Sequence, residues 1–66
     1  MDPDLGAGVL ARRRDLGLTQ RDLAELAGVS ERFVRQLEAG KLTVQLDKVL
    51  AVLEALGLRL TWELRA

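Results

Sequence analysis

The chain has 66 residues, ten of them basic and ten acidic, for a formal net charge of zero. A chain this short forms one domain at most and buries only about 60% of the surface its unfolded form exposes, so its core must be well made or completed by a partner. It holds no Cys and no His, which excludes disulfide and thiolate chemistry and removes the commonest general base and the commonest zinc ligand. The carboxylates are scattered singly, so no catalytic pair, metal site or cofactor is expected, and the chain does not read as an enzyme. Hydrophobic residues make up 48%, enough for a core, yet Phe33 and Trp62 are the only aromatics. No leader or membrane-spanning run is visible, so a cytoplasmic protein without a membrane partner is expected.

A first helix is expected over about residues 6–16, with Asp4 placed to cap it. Gly6 and Gly8 weaken its first turn, each by up to about 1 kcal/mol relative to Ala. From Val9 onward it firms, with Val9, Arg13 and Leu16 on one face. Arg12, Arg13 and Arg14 crowd the last turn, where the helix dipole favours cations, and Arg12 and Arg14 read as solvated. Gly17 followed by Leu18 suits a left-handed end. Thr19 opens a second helix over 20–27, and with Asp22 it resembles a capping box. Leu23, Leu26 and Ala27 form that helix's buried stripe, and Gly28 stops it.

Ser30 is a strong N-cap for a third helix over 31–39. Val29 before the cap and Val34 four positions into the helix make a hydrophobic staple. Val34 and Leu37 point inward and Gly40 ends the helix. A fourth helix is expected over 45–56, capped by Thr43 or Gln45. Its apolar stripe is Leu46, Val49, Leu50, Leu53 and Leu56, widened by Val52, and this exceeds what one small core needs. After Gly57 the segment from Leu58 to Leu64 alternates, with Leu58, Leu60, Trp62 and Leu64 on one side. Period 2 predicts a strand over about 58–64, although a fifth helix or a tail is the alternative. One strand cannot satisfy its own backbone groups. The economical partner is the same strand of a second copy across a two-fold axis, with Val52, Leu58, Leu60, Trp62 and Leu64 as the interface.

The third helix carries Arg, Gln and Glu on the side opposite its apolar stripe. A surface of that kind suits the major groove of DNA, which admits a helix and presents a distinct donor/acceptor pattern for each base pair. Its first turns hold Glu31, Arg32, Phe33 and Gln36. Arg32 matches guanine O6 and N7, Gln36 matches adenine N6 and N7, and Glu31 can accept from cytosine N4. Glu31 equally suits the helix N-terminus as a charge, and Phe33 divides between a thymine methyl and the core. Arg35 reads as a groove-edge residue, bound to phosphate or solvated. Ser30 can cap and also donate to a phosphate. The neutral net charge tells mildly against nucleic acid, unless charge is segregated by face.

The run GLTQRDLAELAGVS, the spacing from Gln20 to Gly28 to Ser30, and the ending LEAGK resemble the Xre/Cro family of helix-turn-helix repressors over about residues 9–56. The resemblance implies a mostly α, four-helix, lambda-repressor-like domain spanning residues 1–66, which binds a double-stranded operator with inverted repeats as a homodimer. It implies that Gln20, with Thr19 beside it, reaches a phosphate and braces the recognition helix. It also implies that Lys41 and Thr43 lie along the DNA backbone, and that Arg13 and Glu38 form a partly buried structural ion pair. The alternating C-terminal end is similar to that of HipB-like antitoxins. That likeness implies an autoregulating antitoxin of a type II toxin–antitoxin system with a HipA-type kinase toxin as partner. The alternative is an interaction module of the same fold that binds a partner protein without DNA.

Overall fold

The computed structural model of the chain describes residues 5–41 and 45–59. It contains four helices: α1 (Leu5–Asp15), α2 (Gln20–Ala27), α3 (Glu31–Glu38) and α4 (Leu46–Ala55). No strand occurs among the described residues. The strand expected over 58–64 lies outside them from Leu60 onward, as do Asp4 and Thr43. Gln45 occupies the N-cap position of α4 and makes no side-chain capping bond.

Local chemistry sets the helix boundaries. The Asp22 N–H donates to Thr19 Oγ1 (3.0 Å) and the Thr19 N–H donates to Asp22 Oδ2 (2.9 Å), a reciprocal capping box at the start of α2. The Phe33 N–H donates to Ser30 Oγ (3.0 Å), satisfying one of the free donors at the start of α3. Gly28, at φ 72°, takes the left-handed conformation that L side chains disfavour. It lets the Val29 N–H return to the Ala24 carbonyl at 3.0 Å. The turn between α2 and α3 is therefore closed at both ends within two residues. The same wrap-back bond, five residues long, ends the other helices: Leu18 to Arg13, Lys41 to Gln36, and Leu58 to Leu53.

One core sits between the helices, made of Val9, Leu23, Ala24, Phe33, Val34, Leu37, Val49, Val52, Leu53 and Leu56. α2 packs on both α3 and α4, and α1 packs on α3. Gly6 is buried, and a Cβ there would meet the backbone carbonyl oxygens of Leu37 and Glu38. The residue expected only to weaken α1 is thus where α1 crosses the end of α3 at close range. Arg12 is exposed, as expected, and also donates from Nε to the Leu56 carbonyl at 3.0 Å, which ties α1 to the last turn of α4.

Five apolar assignments change. Leu26 is 64% exposed, and Ala24 takes its place inside. α2 must touch two helices at once, which turns its 23–24–27 side inward. Leu16 is exposed because α1 ends at Asp15. In α4 the covered side is Val49, Val52, Leu53 and Leu56, while Leu46 and Leu50 are 59% and 45% exposed. Val52 was expected to face a second copy. It is fully buried in its own chain and has no surface left to offer. The cause is packing against α2, which covers one flank of a helix that is apolar over more than half its girth.

Candidate nucleic-acid interface

The outward side of α3 is built on its inward side. Phe33, Val34 and Leu37 are buried, and they fix the rotation of the helix about its axis. Phe33 therefore belongs to the core, not to a base-contacting set. Its neighbours at positions 34 and 37 share its stripe, and its ring faces α4, with Lys48 Nζ 6.0 Å from the centroid. That rotation leaves Glu31, Arg32 and Arg35 exposed, with Gln36 half-buried on the flank. Arg32 makes no ion pair with a described residue. Arg35 Nη2 donates to Glu31 Oε2 at 3.0 Å, one turn away on the same helix.

α3 is held by a single carboxylate at its far end. Glu38 Oε2 accepts from Arg13 Nε (2.6 Å), and Glu38 Oε1 accepts from Arg13 Nη2 (3.1 Å) and Gln20 Nε2 (3.0 Å). Arg13 Nη1 also donates to the Leu18 carbonyl (2.8 Å). The side chains of Arg13 and Glu38 are 10% and 5% exposed. This one cluster joins α1, the α1–α2 turn, the start of α2 and the end of α3. Burial alone pushes the Glu38 carboxyl upward, but the hydrogen bonds from Arg13 and Gln20 and the charges of Arg13 and Arg14 outweigh it, so its pKa lies below the ordinary value. The bond to Glu38 raises that of Arg13, against burial, which lowers it.

Gln20 is the least exposed of the polar residues opening α2. One of its amide N–H groups is committed to Glu38, and the second remains for another acceptor. Thr19 and Ser30 are exposed, and each hydroxyl oxygen already accepts a capping bond. Their hydroxyl protons remain free to donate. Lys41 is exposed just past α3, its backbone N–H bound to the Gln36 carbonyl. The structure thus brings Thr19, Gln20, Ser30, Glu31, Arg32, Arg35, Gln36 and Lys41 onto the α2–α3 unit and removes Phe33. Thr43, Leu60, Trp62 and Leu64 lie outside the described residues. The link from Gln20 to Glu38 spans eighteen positions and leaves no local signal in the sequence.

Sequence reasoning expected surplus apolar surface on α4 and named Leu58 for an interface, but did not place Leu46 and Leu50 beside it. Leu46, Leu50 and Leu58 are exposed, and a shallow groove is lined by Leu50, Leu53, Glu54, Gly57, Leu58 and Arg59. The signal was available as surplus apolar residues on α4, but not the side they occupy. Among the described residues no group of three His, Cys, Asp or Glu side chains could hold a metal ion, and no helix is long and apolar enough to cross a membrane.

A capped pair of helices at a tight turn, the second locked from behind and polar in front, defines a helix-turn-helix protein. The chain matches the helix-turn-helix family over residues 9–62 and belongs to it. Family members are DNA-binding regulators. The chain is also 52% identical, over 54 residues, to an uncharacterized HTH-type transcriptional regulator, y4mF, of Sinorhizobium fredii. The match covers 82% of this chain and 71% of that protein.

Proposed function

We propose that residues 1–66 form a single domain that binds DNA sequence-specifically and represses transcription as a homodimer. The observation that carries this reading is the fixed rotation of α3. Its apolar side is spent on the core and its end is clamped by Arg13 and Gln20 through Glu38. Arg32, Arg35 and Gln36 are then presented outward on a rigid element. Rigid presentation matters because base edges are recognised only when donors arrive in register. Thr19, Gln20, Ser30 and Lys41, with Thr43, would hold phosphates and position the helix without reading sequence.

The second copy would dock along the exposed side of α4, through Leu46, Leu50 and Leu58, continuing into the alternating segment that ends at Leu64. Leu50 replaces Val52 in this interface. The alternating end supports a finer reading: an autoregulating antitoxin with a HipA-type kinase toxin as partner, working in the cytoplasm and on the nucleoid when DNA-bound. A kinase-like gene beside this one supports that assignment, and an unrelated neighbour removes it.

The main reading is tested by a gel shift on the DNA upstream of the gene. A retarded band over an inverted repeat, weakening steeply between 50 and 200 mM salt as about 6–10 phosphate contacts demand, is expected. No retarded band even at low salt would overturn it and favour an interaction module of the same fold.

A further inference from the structure

Glu31 is an acid on the face meant for a polyanion, and its partner explains it. Glu31 and Arg35 stand one turn apart, on the side of α3 away from Phe33, Val34 and Leu37. Their contact is a formed hydrogen bond at 3.0 Å between half-exposed side chains. The comparable pair on α2, Arg21 and Glu25, reaches only 4.0 Å and is far more exposed. A surface pair of this kind adds little to stability. What it does is restrict the Arg35 side chain, which otherwise loses much rotamer freedom on binding.

We propose that Glu31 is a positioning residue and Arg35 a base reader. The carboxylate takes one N–H of Nη2. The rest of the guanidinium, with four donors in a planar fork, stays available for guanine O6 and N7. The pair is locally neutral, so Glu31 brings no uncompensated negative charge to the groove. Arg32, which has no ion-pair partner among the described residues, is a separate reader at a different base pair. This assignment rests on the DNA-binding reading above. It moves Arg35 from the groove edge to the centre of the reading face and takes Glu31 off the list of groups that touch a base.

The test is selection from a pool of double-stranded oligonucleotides with a randomised core, followed by affinity measurements on the selected sequence and its single-base variants. Wild type, Glu31→Gln, Arg35→Ala, Arg32→Ala and the Glu31→Gln/Arg35→Ala double variant are compared. Arg35→Ala loses about 5- to 150-fold discrimination at one base pair. Glu31→Gln loses about 2- to 10-fold at that same base pair, the effect of freeing one long side chain. The double variant loses no more than Arg35→Ala alone, and Arg32→Ala acts at another position. A Glu31→Gln effect at a base pair that Arg35→Ala leaves untouched makes Glu31 a reader itself and overturns the assignment, as does strict additivity of the two changes. A wild-type protein that enriches no sequence sinks the DNA-binding reading, and this proposal with it. Unchanged thermal unfolding of the single variants confirms that a binding effect is not a folding effect.

Discussion

At position 6 an added methyl group would run into the carbonyls of Leu37 and Glu38, while at position 8 it would meet nothing. The two glycines look alike in the sequence and should behave oppositely. Gly8→Ala removes a flexible residue from an exposed helical position and should stabilise the fold by about 0.5–1 kcal/mol. Gly6→Ala must push α1 off α3 and should destabilise it by about 1–3 kcal/mol. Urea unfolding of both variants checks the pair, and equal effects would mean the helices do not cross as closely as described. Glu38 carries the other residue-scale constraint. Its neutral replacement, Glu38→Gln, leaves the Arg13 guanidinium buried without its counter-charge, and removing one partner of such a pair typically costs about 3–5 kcal/mol at neutral pH. The folded-state pKa of Glu38 is lowered, so the carboxylate contributes stability above its unfolded value. That contribution is lost as pH falls through the folded value. Asp22, lowered by its backbone and hydroxyl bonds to Thr19, acts in the same direction. Denaturation midpoints of the wild type should therefore drop below about pH 4.5, and those of Glu38→Gln should depend less on pH in that range.

Helix α4 divides its apolar residues between the core and the exterior. Val49, Val52, Leu53 and Leu56 complete the core, while Leu46 and Leu50 remain outside it. The two sets predict different phenotypes. In the proposed dimer, Leu50→Glu should leave folding almost untouched and give monomers in sedimentation velocity, because a charge on an apolar interface stays unpaired when the interface closes. Val52→Ala should leave a cavity and lower stability by about 2 kcal/mol, without acting on association directly. A Leu50→Glu protein that still sediments as a dimer would place the interface elsewhere. At α3 the same division between inner and outer sides separates Phe33, a packing residue, from Arg32 and Arg35.

For the molecule as a whole, the proposed homodimer requires its two copies to present their α3 helices about 34–36 Å apart, so that both enter successive major grooves on one side of B-DNA. Footprinting should show two half-sites about 10 base pairs apart, centre to centre. A single asymmetric footprint would exclude the two-fold arrangement. The zero net charge is no obstacle to this. The Glu38–Arg13 and Glu31–Arg35 pairs each cancel locally, and Asp22 is held in its cap. Arg32 and Lys41 stay exposed on the α2–α3 unit.

The residues alone were enough to place the four helices, the capping box of Thr19 and Asp22, the Ser30 cap, the glycines that end the helices and the left-handed turn at Gly17, because each depends on groups within five positions of one another. The resemblance in GLTQRDLAELAGVS and LEAGK supplied the Arg13–Glu38 pair, which no local spacing indicates. Only the tertiary structure decided which flank of an apolar helix is covered. It exposed Leu26 and Leu50, buried Val52 and Phe33, turned Gly6 into a crossing point and joined Gln20 to Glu38. The reason is that periodicity records how much of a helix is apolar and on which broad side, whereas the rotation that hides one residue and exposes its neighbour is set by the partner helices. Their positions depend on contacts between residues far apart in the chain.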